Sequence, residues 1–178
     1  MIKKNIIILL FIFCSCSKYH HFSQDLGYTK DGVHGYTHFK DNEPVAIYSN
    51  FYDSCFVEMV DLQPETEAGY MVTILDKKKN FFYVRFDYPN IGKAWVKKGS
   101  IGLNIRGLAY ENKDSIPIHE KTCLKSRIIG YLVNPQTVPI LDEGKHWVYI
   151  KAIDGDKNEI EGWLAPIYQC GNPYTTCP

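Results

Sequence analysis

The chain has 178 residues, as many basic as acidic side chains, and 45% hydrophobic residues, enough for one ordinary domain or two small ones. With no basic excess nothing points to nucleic acid, and with no acidic run nothing points to a disordered acidic tail. Thirteen Tyr, nine Phe and three Trp favour strands over helices.

The first residues differ from the rest. Met1-Ile2-Lys3-Lys4-Asn5 is a short basic start, Ile6 to Phe13 is unbroken apolar sequence, and Cys14-Ser15-Cys16-Ser17 follows. This is the layout of an export signal, and the apolar run is far shorter than the roughly 20 residues that span a bilayer. The stretch Leu9 to Cys16 resembles a bacterial lipobox, with Phe13 where a Leu is more usual. The resemblance implies a signal peptide over 1–15 and acyl chains on Cys16, with Cys14 as the competing site behind a bulky Phe13. Several acyl chains anchor a protein stably where one does not. Ser17 behind the lipid site implies, by resemblance to lipoprotein sorting in Gram-negative bacteria, transfer to the outer membrane. Residues 16–32, polar with Gly27 and Gly32, read as the lipidated N-terminus and a tether.

The strongest internal signal is a repeat. Val72-Thr-Ile-Leu-Asp76 matches Val138-Pro-Ile-Leu-Asp142, and the register continues, with Lys79 on Lys145, Phe81 on Trp147, Tyr83 on Tyr149 and Arg85 on Lys151. After a short insertion, Ala94-Trp95-Val96 matches Gly162-Trp163-Leu164; upstream, Ile47 falls on Ile118. These matches define two copies, residues 33–103 and 104–170, with a tail over 171–178. In each copy a polar turn, Asp76 to Asn80 or Asp142 to His146, separates two β-rich segments, which is a hairpin signal. Trp147, Tyr149 and Lys151 alternate with Val148, Ile150 and Ala152, one face apolar and the other amphipathic. The expectation is an all-β protein of two small barrels, because several short strands in so few residues suit closure.

The second copy resembles a bacterial SH3-like domain. The residues are Ile116-Pro-Ile118 leading into a long loop, Ile128-Ile129-Gly130 opening a strand, Trp147-Val-Tyr-Ile150, and a closing Gly162-Trp163-Leu164. The first copy is more divergent, with Ala94 before its tryptophan and no I-I-G segment. The resemblance implies two tandem SH3-like barrels and a cell-wall peptide or an envelope protein as partner.

Catalytic chemistry finds little footing. Six histidines have no cysteine or carboxylate at a recognised metal-ligand spacing, so no metal and no cofactor is expected. Cys123 has no helix start to lower its thiol pKa, and Asp154-Gly-Asp156-Lys-Asn158 lacks the distal ligands of a calcium loop. Cys170 and Cys177, flanking a turn with Gly171 and Pro173, are the candidate disulfide; Cys55 and Cys123 read equally well as free buried thiols.

Aromatics and the loop between the first two strands of each copy carry the binding expectation. Copy one holds Tyr48, Phe51 and Tyr52 there; copy two holds Lys125 and Arg127. Rigid aromatic rings give large contact area at low entropy cost, and loops diverge where function sits. Trp147 and Tyr149 beside Lys125 and Arg127 are read as the main polar contact surface, while Trp95 and Trp163 are read as packing. The expected function is a non-catalytic envelope lipoprotein that binds through its barrels. The alternative is an immunity-type or other dedicated partner-binding lipoprotein; a cell-wall hydrolase is the least supported reading.

Overall fold

The computed structural model describes residues 28–29, 32–37, 43–61, 69–87, 90–106 and 115–171. The signal segment, Cys14, Cys16, the tether up to Gly27, and Cys177 lie outside them. Among the described residues the chain is all-β and antiparallel, with two short 3-10 turns and no helix long and apolar enough to cross a membrane.

Copy one contains β2 (Gly32–Tyr36), β3 (Val45–Tyr48), β4 (Phe56–Val60), β5 (Met71–Lys78), β6 (Phe81–Phe86) and β7 (Lys93–Lys97). Copy two contains β8 (Gly102–Ile105), β9 (Ile116–His119), β10 (Ile128–Leu132), β11 (Thr137–Gly144), β12 (Trp147–Ile153) and β13 (Glu159–Leu164). Two short additions, β1 (Tyr28–Thr29) and β14 (Gln169–Cys170), pair with β2 and β8.

The strand order makes the repeat visible. It runs β10-β9-β13-β12-β11-β8 and then β2-β5-β6-β7-β3-β4, the same order read from both ends. Registers agree as well. Val84 faces Ala94 where Ile150 faces Gly162, and Tyr48 faces Trp95 where His119 faces Trp163. Each long hairpin shifts register at the same place, between Ile74 and Asp76 and between Ile140 and Asp142. β8 is the counterpart of β2, so it straddles the 103/104 division read from sequence.

The copies join where Tyr36 of β2 faces Gly102 of β8. The result is one open antiparallel sheet; no ladder closes either copy on itself among the described residues. β2 and β8 pair with each other across the junction, so the strands of both copies belong to one sheet. The apolar faces also feed a single core, in which Val33, Val72 and Phe82 of copy one join Leu103, Ile140 and Ile150 of copy two. Each such fully buried side chain contributes about 1.5–3 kcal/mol.

Copy two nevertheless bends back on itself. Gly155 N–H, in the turn between β12 and β13, donates to the Tyr131 carbonyl of β10 at 3.1 Å. Gly130 lies so near β13 that a Cβ there would come within 2.8 Å of Ile160 Cδ1. Gly162 is tighter still: its Cβ would meet Ile118 Cγ2 at 2.5 Å and Ile129 Cδ1 at 2.6 Å. The glycines of the I-I-G and G-W-L segments are thus places where neighbouring strands cross too closely for a side chain.

Candidate functional site: an aromatic cluster crowned by lysines

Strand alternation decides which rings face outward. In β6, Phe82, Val84 and Phe86 are buried while Tyr83 and Arg85 are half-buried on the opposite face; in β7, Ala94 and Val96 point in and Lys93, Trp95 and Lys97 point out. Tyr83 and Trp95 are cross-strand partners, with ring centroids 5.0 Å apart. The same pair recurs in copy two, where Tyr149 and Trp163 are cross-strand partners at 5.3 Å. Aromatic pairs of this kind contribute about 0.5–1.5 kcal/mol beyond their area.

In copy one the loop between β3 and β4 extends this pair into a cluster. Phe51 packs edge-on against Trp95 at 5.3 Å and lies beside Tyr52 at 4.5 Å. Ser49 N–H to the Cys55 carbonyl, at 2.9 Å, closes the loop that carries them. Tyr52 remains 44% exposed. The turn between β5 and β6 adds charge: Lys78 Nζ sits 5.0 Å from the Phe51 centroid and Lys79 Nζ 4.4 Å from that of Tyr52. Lys79 has φ +50°, a left-handed position that turns the hairpin tip. Lys97 is ion-paired with Asp53 at 2.6 Å, and this partner holds its ammonium pKa up. Rings with ammonium groups over them form a surface that can hold an extended ligand by stacking and charge.

The residues singled out by sequence divide. Phe51 and Tyr52 come together in the cluster; Tyr48 is buried, edge-on to Phe81 at 5.1 Å. Trp147, expected beside Lys125 and Arg127 at a contact surface, is instead 6% exposed and stands perpendicular to His119 at 5.3 Å. It fills the place of Phe81 in copy one, and His119 fills that of Tyr48. Tyr149 is half-buried against Trp163. Lys125 is exposed, and Arg127 is ion-paired with Glu120 at 3.0 Å.

Sequence reasoning missed Tyr83, Trp95, Lys78 and Lys79. It read Trp95 as packing and the lysines as an unremarkable turn. The available signal was period-two alternation, since Tyr83 and Trp95 occupy the phase opposite to Phe82, Val84 and Val96.

Two further groups bear on chemistry. His119 is 2% exposed and neither ring nitrogen has a well-formed hydrogen bond; burial pushes its pKa down, and the backbone at Ser126 only partly offsets this. Cys55 is a free thiol, whereas Cys123 and Cys170 are disulfide-bonded, which removes Cys123 from the free thiols. The Cys170–Cys177 pairing itself involves a residue outside the described set. Among the described residues no group of three His, Cys, Asp or Glu side chains converges on a metal-sized site.

No family model matches the sequence, and no curated protein matches it. Among solved structures, similarity is found to NlpC2 from Trichomonas vaginalis, at 16% identity and a TM-score of 0.30 over 84% of this chain and 49% of that one. NlpC1 from the same organism matches at 17% identity and a TM-score of 0.31, over 90% of this chain and 50% of that one. The chain thus spans about half the length of either structure, and at these scores the likeness assigns no family.

Proposed function

We propose that the protein is a non-catalytic lipoprotein of the cell envelope whose two SH3-like units bind a cell-wall peptide or an envelope protein. In this reading Cys16 carries the lipid and residues 16–32 form the tether. Each copy is read as a curled SH3-like barrel, with support in copy two from the β12–β13 turn, whose Gly155 N–H donates to the Tyr131 carbonyl of β10. The supporting observation is the cluster of Phe51, Tyr52, Tyr83 and Trp95 under Lys78 and Lys79. Those side chains hold a ligand by contact and charge, and none is a nucleophile or general base poised on another.

Incubation with purified sacculi tests it. The expected result is retention above a control protein with no release of muropeptides. Turnover of muropeptides abolished by one point change would replace binding with hydrolysis, and absence of retention would remove the cell-wall ligand.

A further inference from the structure

The two copies share an outward Tyr–Trp pair, but copy one surrounds it with positive charge and copy two with balanced charge. Around Trp95 stand Lys78, Lys79, Lys93 and Lys97; the equivalent positions around Trp163 are Gly144, Lys145, Glu161 and Ala165. The contrast is sharpest across the strands. Lys151 faces Glu161 in copy two, an opposite-charge pair, whereas Arg85 faces Lys93 in copy one. Like charges directly opposite each other destabilise a sheet. Among the described residues Lys78, Lys79 and Lys93 have no carboxylate within ion-pair distance, while Lys97 is neutralised by Asp53. A surface that concentrates unneutralised cations beside open rings is complementary to an anion with an apolar body.

The neighbouring strand adds a second feature. Among the described residues β4 ends the strand order, and its Phe56, Val57 and Met59 are 52%, 54% and 52% exposed. Its counterpart β10 has a carbonyl, that of Tyr131, already taken by Gly155 N–H. β4 begins beside the cluster: the Phe56 ring lies 5.9 Å from Tyr48, over which Lys97 Nζ sits at 5.7 Å. A sheet edge recognises an extended peptide through its main chain, which a glycan cannot imitate. Glu58 on β4 is exposed and acidic, so an acidic ligand meets its cations at the Phe56 end of the strand.

We infer that the copy-one cluster and the adjoining edge of β4 take an extended, carboxylate-bearing peptide, its acidic side chains over Lys78, Lys79 and Lys93. This rests on the binding-module reading and specifies its ligand class and site. The probes are a blocked hexapeptide of alternating alanine and glutamate, its glutamine counterpart, and an oligogalacturonate of matched charge. They are titrated into the full processed chain, with the indole N–H signals of the three tryptophans and the β4 amides followed by NMR. The acidic peptide is expected to move the Trp95 indole and the β4 amides, and to bind at least ten-fold more tightly than the glutamine peptide. Raising salt weakens that binding, and Lys78→Gln with Lys79→Gln weakens it about ten-fold. Lys93→Glu, which installs the residue found at the copy-two position, weakens it independently if the double variant misfolds. Equal binding of the glutamine peptide, movement of the Trp163 indole instead, no binding by either peptide, or a stronger response to the oligogalacturonate without movement of β4 would each overturn the inference. Sacculus retention of the same variants separates the two levels: retention indifferent to the lysine changes removes the acidic ligand and leaves a binding module, whereas no retention of the wild-type chain removes the cell wall as its target.

Discussion

Lys77 Nζ of copy one lies 2.9 Å from Asp142 Oδ1 of copy two, joining two hairpins that are equivalent in the repeat. Lys98 donates to the same oxygen at 2.9 Å, and Lys77 also donates to the Glu143 carbonyl. Burial alone would raise the Asp142 pKa, but hydrogen bonds from Lys77 and Lys98 more than offset that and hold it below its ordinary value. The equivalent aspartate, Asp76, is exposed and among the described residues accepts from its neighbour's backbone, Lys77 N–H, at 2.8 Å. All three partners in the Lys77–Asp142–Lys98 group retain some solvent access, so the discount for screening is large. Asp142→Asn is expected to cost about 1 kcal/mol or less in urea unfolding, and Asp76→Asn nothing measurable. A Lys77→Met, Asp142→Asn cycle with no coupling would show that the contact does not hold the copies together.

His119 gives the fold a pH dependence of definite sign. Its folded pKa lies below the ordinary imidazole value of about 6.5 because burial disfavours the charged ring. The unfolded chain therefore binds more protons, and stability falls as pH drops below that value. The Asp142 group acts in a lower window: its contribution is present above the ordinary carboxylate pKa and is lost as pH falls further through the depressed one. Between pH 7.5 and 5.5 the Tm should decline, and His119→Tyr, the residue at the equivalent place in copy one, should flatten the decline. An unchanged slope in the variant would assign the dependence to another group.

Gly162 tests the fit of the closing strand. Alanine there would press on Ile118 and Ile129, although Ala94 occupies the same position in copy one. Overpacking of this kind costs about 1–3 kcal/mol. Gly162→Ala should lower the Tm by several degrees, while Ala94→Gly should lower it less. Equal tolerance at both sites would mean that the copies do not differ in strand spacing here.

The anchor has its own test. Cys16→Ala should abolish lipid labelling and release the protein from membranes, with Cys14→Ala leaving both intact. The reverse pattern would move the lipid site by two residues.

The repeat was legible because packing preserves it. Val72 to Asp76 and Val138 to Asp142 have to bury the same side and turn at the same bulge, so their residue types match. The outward alternation of Tyr149 and Lys151 was legible for the same reason. What sequence did not reveal was tertiary. Trp147 has the phase of an outward residue, but the His119 ring stands against it and it is buried. Phe51 and Trp95 are far apart in the chain, so their contact depends on how the β3–β4 loop folds over β7. Arg127 carries a charge whose value depends on whether Glu120 reaches it, which spacing alone does not settle. The single joined sheet was likewise hidden, because the Tyr36–Gly102 pairing leaves no pattern within either copy.

Retention on sacculi by paired loop variants tests the binding surface most directly. Phe51→Ser with Tyr52→Ser removes the exposed rings of copy one, and Lys125→Ser with Arg127→Ser removes the loop cations of copy two. The Phe51 and Tyr52 rings pack on each other and Phe51 on Trp95, contacts of about 0.5–1.5 kcal/mol, so the Tm of each variant is read alongside its retention. The first variant should lose retention while remaining folded with a modestly lower Tm, and the second should be retained like the wild-type chain. Retention surviving the first change and lost with the second would contradict a copy-one site and place the ligand on copy two.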